Sequence, residues 1–507
     1  MIKLVTGEEM QLIDSYTIKE IGIPSMVLME RAALGIVDHI LKRKHIENEK
    51  VFILCGSGNN GGDGLAIGRL LGNKGIRTNI MLLSENYTQE TSMQLKILQN
   101  LNIKVDKYDA DQLKKYISES DLIIDAIFGT GLTREVIGHY KDTIQCVNNE
   151  DKFVISVDIP SGICSKSGKV LGVAIKANLT VTFGLNKLGN VLYPGTLYAS
   201  KTNIVDIGFP KRAYDSRMLK HFTFDENALQ KLPKREARSN KGTFGKVLVI
   251  AGAINMSGAA FLSAMAAYKI GGGLVNIMTH EENRVIIQTS IPEAIVTTFN
   301  TLDNKELDKT CFIEFKSSIK DANVIVIGPG LSQCKATKEL LEYVIRHSKV
   351  PIIIDADGLN VLSNELSLIK EHQVEIIITP HPGEMSRLLG VSIKEVTENL
   401  IENANFISKK YNIICALKDA RTIVTNPFDD VYINTSGNNG MATAGAGDVL
   451  TGIISGLIAQ GLRPYEATCL GVYLHGLSGD KAKERVGVYS MMARDIIEEI
   501  SKVTNIN

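Results

Sequence analysis

This chain predicts an α/β architecture in two domains, each built on a mainly parallel sheet, and three features predict it. Short apolar runs rich in β-branched residues alternate with helix-like patterns along most of its 507 residues. Several runs end in a glycine turn or an aspartate, where open α/β sheets hold their ligands. The rhythm lapses once, over residues 209–245, where charge rises. There Pro210-Lys211-Arg212, Pro233-Lys234-Arg235 and Ser239-Asn240-Lys241-Gly242 punctuate the chain. Single cores stop growing near ~250–300 residues, so we divide the chain into residues 1–220 and 221–507.

In the first domain the expected strands are 51–55, 78–83, 122–126, 154–157 and 179–183. The first runs into Gly56-Ser57-Gly58-Asn59-Asn60-Gly61-Gly62-Asp63-Gly64, with a helical pattern over 65–71. Formally this is G-x-G-x-x-G between strand and helix, the dinucleotide fingerprint, but alone it is a weak match. A hydride-transferring enzyme would want a ribose-binding acid after the next strand, and Glu85 is a poorly defined candidate. The Asn-Asn and Gly-Asp-Gly insertions add amide and carboxylate oxygens where a pyrophosphate turn needs only backbone amides. Such oxygens suit a hard cation or a polar substrate edge.

Two more strand ends converge on that idea. Leu122-Ile123-Ile124-Asp125-Ala126 leads into Phe128-Gly129-Thr130-Gly131-Leu132, and Val154-Ile155-Ser156-Val157-Asp158 into Ile159-Pro160-Ser161-Gly162. Asn60, Asp125, Asp158 and Ser161 therefore share one rim of the sheet. Each aspartate alone reads as a loop cap; together they shift the reading towards an active site.

In the second domain the expected strands are 247–251, 275–278, 324–327, 352–354, 375–379 and 413–417. Its most informative stretch is Gly437-Asn438-Asn439-Gly440-Met441-Ala442-Thr443-Ala444-Gly445-Ala446-Gly447-Asp448, followed by an apolar helical run over 449–459. Small residues let backbone amides approach a phosphate, and a helix start adds partial positive charge. Asp448 then stands where a general base would meet a substrate hydroxyl. A glycine loop ending in an Asp cap is the plainer alternative. Asp355 and Asp357 follow a strand and read equally well as helix caps; His381, between two prolines, reads as structural on its own.

Lysine plus arginine equals aspartate plus glutamate, 56 each, so no global field draws nucleic acid or an anionic membrane. The basic cluster over 231–246 lacks interleaved aromatics apart from Phe244 and reads as a solvated connector. The N-terminus turns acidic at Glu8-Glu9 before any signal-peptide-like stretch, and no apolar run nears the ~20 residues that span a bilayer. Seven cysteines (Cys55, Cys146, Cys164, Cys311, Cys334, Cys415 and Cys469) form no C-x-x-C pair, so neither a disulfide framework nor a zinc site follows. The expectation is a cytoplasmic, reduced protein with no membrane or nucleic-acid partner.

The first-domain motifs resemble the epimerase domain of NAD(P)H-hydrate repair enzymes: Gly58-Asn59-Asn60-Gly61-Gly62-Asp63-Gly64, Asp125-Ala126-Ile127-Phe128-Gly129-Thr130-Gly131 and Asp158-Ile159-Pro160-Ser161-Gly162. The resemblance implies a Rossmann-like three-layer domain that interconverts the R and S hydrates of NADH or NADPH. It implies that the hydrate meets Asn59, Asn60, Gly61, Gly62 and Asp63, then Gly129, Thr130, Gly131, Leu132, Thr133, Arg134 and Glu135, and Asp158. It further implies a potassium ion on Asn60, Asp125 and Ser161, with Asp158 moving the proton.

From Lys241 onwards the chain resembles the dehydratase partner of the same repair system, which has a ribokinase-like fold. The matching pieces are Lys241-Gly242-x-x-Gly245, Gly271-Gly272-Gly273-Leu274-Val275, Gly328-Pro329-Gly330, Asp355-Ala356-Asp357-Gly358-Leu359-Asn360, Thr379-Pro380-His381-Pro382-Gly383-Glu384-Met385 and the 437–452 stretch. Both domain types in one chain look like the bifunctional bacterial members. The resemblance implies that ADP phosphorylates the ring hydroxyl and leaves as AMP. Asp448 would be the base, with Ala259, Gly330 and His381 on the hydrate. Lys418, Asp419, Ala420, Arg421, Thr422 and Gly447 would bind the nucleotide. Magnesium is expected with the phosphates, with Glu384 and Asp355 as candidate ligands, and a homo-oligomer is implied. Asp419 departs from the Lys-Gly of many relatives and is expected to face outward; Asn240 stands where a histidine is common and is given no role. A ribokinase-like small-molecule kinase with an accessory domain is the rival enzyme reading, and an assembly scaffold the non-enzymatic one. The retained Asp63, Asp125 and Asp158 argue against the scaffold.

Overall fold

Runs of Val, Ile and Leu buried on both faces form the strands of two separate units. The computed structural model describes residues 1–302, 306–308, 310 and 312–505; Cys311 lies outside the described residues. The chain divides into Lys3–Lys220 and into His221–Asn507 together with Met1–Ile2.

The first unit carries β1 (Ile2–Val5), β2 (Lys50–Cys55), β3 (Arg77–Leu82), β4 (Asp106–Lys107), β5 (Leu122–Ala126), β6 (Phe153–Val157), β7 (Leu179–Phe183), β8 (Asn186–Lys187) and β9 (Lys201–Val205). Seven of them form a sheet in the order β4-β3-β2-β5-β6-β7-β9, parallel throughout. The chain winds outward from β2 on one side and from β5 on the other, so the crevice for a ligand opens where the order reverses, at the β2–β5 boundary. Helices cover both faces, which is why β2, β5 and β6 read as unbroken apolar runs. Asp125 interrupts β5, and its register partner on β6 is Ser156. A buried carboxylate there requires donors, and it has them.

The expected helix over 65–71 begins six residues earlier, at Asn59. Asn and Gly are poor helix formers, but the close approach of helix to strand outweighs propensity. A β-carbon at Gly61 would lie 2.0 Å from the carbonyl oxygen of Gly56. Strands β1, β4, β8 and β9 escaped the sequence reading; β4 and β8 have two residues each, and β9 is the sheet edge and only half-buried.

The second unit carries β10 (His221–Thr223), β11 (Lys246–Ile250), β12 (Leu274–His280), β13 (Ile295–Phe299), β14 (Val324–Ile327), β15 (Ile352–Ile354), β16 (Ile376–Ile378), β17 (Ile414–Leu417), β18 (Ile423–Thr425) and β19 (Val431–Ile433). Their order is β13-β12-β11-β14-β15-β16-β17-β18-β19-β10. From β13 to β17 the pairing is parallel; β18 is antiparallel to both β17 and β19. This part of the sheet is therefore mixed: β18 and β19 have three residues each, too few to show a period.

The helix Ala446–Ala459 also starts earlier than its apolar run, so Ala446, Gly447 and Asp448 are its first turn. It packs against the helix Ser257–Lys269, and only glycine fits the contact. A β-carbon at Gly452 would meet the Ser263 carbonyl oxygen at 2.2 Å. The 231–246 connector is largely exposed, with the Arg235 guanidinium 3.8 Å above the Phe244 ring. Among the described residues no helix is long and apolar enough to cross a membrane.

Candidate active sites

In the first unit, the carboxyl ends of β2, β5 and β6 open on a cavity of about 720 Å³. Asp158 follows β6 in a left-handed conformation, φ 67°, unfavourable for a residue with a β-carbon. Three donors fix it there: the Lys187 ammonium, the Thr182 hydroxyl at 2.8 Å and the Phe183 N–H at 3.2 Å. All three reach Oδ1, which leaves Oδ2 for a ligand. Lys187 is almost fully buried, and it also donates to Thr182 Oγ1 and the Phe183 carbonyl, each at 3.0 Å. Asp63 and Asp14 line the same cavity. Burial, then Asp158 and Asp14, hold the Asp63 carboxyl well above the usual carboxylate range, against a lowering effect from Lys187. Burial and then Glu90 raise Asp14.

Behind this cavity, Asp125 is fully buried. It accepts from Ser156 Oγ at 2.7 Å, the Ser161 N–H at 2.9 Å, Ser161 Oγ and, more weakly, the Ile127 N–H at 3.3 Å. Burial raises its pKa, and the hydrogen bonds from Ser161, Ser156 and Ile127 pull it back. Ser161 Oγ accepts from the Phe128 N–H at 2.8 Å and lies 3.3 Å from the Phe128 carbonyl. Asn60 packs against Gly129, and its amide nitrogen is buried without a partner.

In the second unit, three carboxylates surround one ammonium. Lys418, at the end of β17, lies 2.7 Å from Asp355 Oδ1 at the end of β15 and 4.0 Å from Glu384 Oε2. The helix Ala446–Ala459 starts beside it: a β-carbon at Gly447 would lie 3.3 Å from Lys418 Nζ and 3.6 Å from Asp355 Oδ2. Gly445 opens that helix at φ 87°; the Ala446 N–H makes a long hydrogen bond of 3.4 Å to the Thr443 carbonyl, and the N–H groups of a first helical turn suit an anion. Burial and then Asp355 push Asp448 up to about 7, with Lys418 opposing. Burial also pushes Glu384 up to about 7, the Lys418 charge opposing it. His381 caps the helix Pro382–Leu389, its Nδ1 accepting from the Gly383 N–H at 3.0 Å, and its Nε2 is 3.4 Å from Glu384 Oε1. Burial, then Lys418 and Arg387, lower its pKa.

Comparison with known proteins decides the family. A family profile described as NAD(P)H-hydrate dehydratase matches residues 247–502, and one described as YjeF-related protein N-terminus matches residues 25–189. A bifunctional NAD(P)H-hydrate repair enzyme of Moorella thermoacetica is 36% identical over 509 residues, covering 98% of this chain and 95% of that one. The chain belongs to the bifunctional NAD(P)H-hydrate repair enzymes. It therefore carries an epimerase domain followed by a dehydratase domain. A ribokinase-like superfamily protein from Enterococcus faecalis V583 is 27% identical, with a TM-score of 0.50, covering 57% of this chain and 96% of that chain. The ADP/ATP-dependent NAD(P)H-hydrate dehydratase from Bacillus subtilis, co-crystallised with ATP and Mg²⁺, is 28% identical at a TM-score of 0.48, covering 57% and 98%.

In the epimerase domain, the cavity gathers Asn59, Asn60, Asp63, Asp158 and the run Gly129, Thr130, Gly131, Leu132, Thr133 and Arg134. Gly61 and Gly62 are buried outside the lining, against Gly56 and Met29, where they serve packing. Glu135 is exposed and also outside it. Glu85, the weak ribose candidate, is on the surface, paired with Lys107.

In the dehydratase domain of this repair enzyme, Lys418, Gly447 and Asp448 share one cluster with Asp355, and Glu384 brings His381 to its edge. Ala259 and Gly330 touch: a β-carbon at Gly330 would meet that of Ala259 at 2.9 Å. Asp419 and Ala420 are exposed, and Arg421 and Thr422 half-buried, on the hairpin between β17 and β18. Asp448 is no helix cap: it stands inside the first turn, while Gly445 takes the cap position. Asp355 caps nothing either, being held by Lys418.

Lys187 is the functional residue the motifs missed, yet one signal was available. It is the only charged residue between positions 179 and 199, and a lone charge in an apolar run must be paired when buried.

Proposed function

We propose that the epimerase domain exchanges the R and S forms of hydrated NADH and NADPH at the Asp158–Lys187 pair, and that the dehydratase domain uses ADP to return the S hydrate to the reduced cofactor at Asp448. The observation that carries this reading is that each unit has its own acid–base group in a different setting. One is a carboxylate locked to a buried ammonium and lining a cavity; the other is a carboxyl with a pKa of about 7 at a helix start.

The hydrate bears a hydroxyl on the ring carbon next to nitrogen, and hydroxide leaves poorly. Asp448, when ionised, takes that hydroxyl's proton as the oxygen attacks the terminal phosphorus of the nucleotide. The N–H groups of the first helical turn receive the charge that builds on the phosphoryl oxygens. Lys418 supplies a cation beside Gly447. The ring nitrogen then expels phosphate, a proton leaves the adjacent carbon, and the reduced ring returns with AMP and phosphate as the other products. Lys418, Gly447 and the 419–422 hairpin, with the Asp419 carboxylate turned outward, would hold the nucleotide; Ala259, Gly330 and His381 would hold the hydrate.

A potassium ion would be held by Asp125, Ser161 and Asn60, fixing the 125–131 and 158–162 turns around the substrate. The donor set fits: one carboxylate, a hydroxyl and the nearby Phe128 carbonyl suit a large monovalent cation. Turning over the unpartnered Asn60 amide would add a fourth oxygen. Magnesium fits its two candidate ligands less well, because the Lys418 ammonium already faces both Asp355 and Glu384. Among the described residues no three acid, histidine or cysteine groups converge as a metal site. Any magnesium then comes with the phosphates and is held chiefly by them.

The test is absorbance in the reduced-nicotinamide band on mixing protein with mixed NADH hydrate epimers, ADP, magnesium and potassium. An ADP-dependent rise that consumes both epimers is expected. A rise that stops with the S form would remove the epimerase assignment, and no rise with ADP or ATP would favour a small-molecule kinase.

A further inference from the structure

Reversing configuration at a ring carbon asks for more than one carboxylate. The hydroxyl leaves one face and water enters the other, so a proton must be given on one side and taken on the opposite side. Inverting glycosidases meet the same demand with two carboxyl groups flanking the ring, one protonated and one ionised.

The cavity of the first unit holds a suitable second carboxyl group. Asp63 projects from the helix that follows β2, and Asp158 follows β6. Strand β5 runs between those two strands, and both residues line one cavity. Their surroundings differ sharply. Asp158 takes three donors, an ammonium among them. The charged and titratable groups around Asp63 are Asp158, Asp14 on the helix Gly7–Tyr16, the Cys55 thiol and the Lys187 ammonium. Glu90 and Arg134 also line the cavity. Burial, then Asp158 and Asp14, raise the Asp63 carboxyl well above the usual carboxylate range, with Lys187 opposing. Two carboxyl groups lining one cavity in such different surroundings can divide the acid and base roles between them.

We propose that Asp63 is the second acid–base residue of the epimerase, acting on the ring face opposite Asp158; the proposal rests on the epimerase reading above. Asp63 gives its proton to the ring hydroxyl, the C–O bond breaks, water leaves, and the nitrogen lone pair becomes a C=N bond. Water on the other face adds to that carbon, the C=N pair returns to nitrogen, and Asp158 takes the released proton. The reverse conversion exchanges the roles, and proton exchange with solvent resets the pair.

The experiment follows pure R hydrate of NADH in ¹⁸O-labelled water, with the full chain, separating the epimers and weighing them above the uncatalysed background. The wild-type protein should incorporate one solvent oxygen per inversion. Asp63→Asn should lower the epimerisation kcat by about 100-fold or more, with KM within about threefold and ADP-dependent dehydration of the S hydrate unchanged, which reports a folded chain. Asp63→Glu should recover about tenfold over the Asn variant. The wild-type rate should fall at high pH as Asp63 ionises, and that limb should vanish in Asp63→Asn. The proposal fails if Asp63→Asn keeps kcat within about threefold of wild type, if only KM changes, or if inversion proceeds without solvent oxygen. A wild-type protein that does not epimerise at all would instead overturn the epimerase reading.

Discussion

Asp158 and Asp448 are both proposed to move protons at the same kind of ring, yet the two units prepare them differently. Asp158 is held by a buried lysine and a left-handed backbone, so its position and direction are set before substrate arrives. Asp448 is in a cluster of three carboxylates around one ammonium, with its pKa pushed up to about 7. The first arrangement suits a reaction with no charged co-substrate, in which the acid–base group must be positioned by the protein itself. The second suits one in which a polyanion brings charge of its own and Lys418 is there to meet it. Preorganisation is built in at one site and completed by a ligand at the other.

The largest effect that would break this comparison is at Asp448. Asp448→Asn should lower ADP-dependent dehydration by about 10²–10⁴-fold while epimerisation continues at the wild-type rate. Paired rate measurements on one preparation check it, and equal loss of both activities in a folded variant would remove the two-site assignment.

Next comes Lys187→Met, which leaves Asp158 mostly buried beside Thr182 without its cation. Removing one partner of a buried pair costs about 3 kcal/mol. The first unit should lose that much stability in a urea melt, and epimerisation should fall with it. Dehydration of the S hydrate should be kept below the melting range. Unchanged stability would mean that Lys187 is not the counter-charge of Asp158.

The pH dependence sharpens the contrast. Asp448 works as a base only when ionised, so with its pKa at about 7 dehydration should be half-maximal there. Below that it should fall about tenfold per pH unit. Linkage runs the other way: a carboxyl raised in the folded state binds its proton more tightly than in the unfolded chain. Its contribution to stability is thus present at low pH and is lost as pH rises through about 4 to 7. Activity and stability of the dehydratase unit should therefore move in opposite directions over that window. A rate profile flat from pH 5 to 8, read at saturating ADP, would count against Asp448 as the base.

Sequence made the two sites unequally legible. Asp448 announces itself because a phosphate cradle requires small residues in a row. Asp125, Asp158 and Ser161 were placed on one rim because strand ends of a parallel sheet share an edge. Lys187 carries no motif: it reaches Asp158 through a two-residue strand, a tertiary pairing that local pattern does not encode. Both helix starts were read late for one physical reason. Asn59 to Gly64 and Ala446 to Asp448 look like loops because they are rich in glycine and polar residues; Gly61 packed on the Gly56 backbone holds the first as helix, and the second is the first turn of a buried helix. β10, β18 and β19 escaped because three residues cannot display alternation, and the antiparallel pairing of β18 escaped with them; β13, a five-residue edge strand with Ile295 exposed, escaped as well.

The smallest predicted effect concerns Asp419, the one negative charge on the hairpin after Lys418. It is exposed, so bulk water and salt stand between it and any phosphate. At ordinary ionic strength, with a Debye length of about 8 Å, Asp419→Gly should lower the KM for ADP by less than about twofold. The change should grow modestly when salt is reduced. Should KM fall tenfold at ordinary salt, the carboxylate must face the nucleotide, and the hairpin would then be repelling the anion that Lys418 attracts. Titrating salt in both proteins separates the cases, because a screened outward charge loses its effect as salt rises while one in contact with phosphate does not.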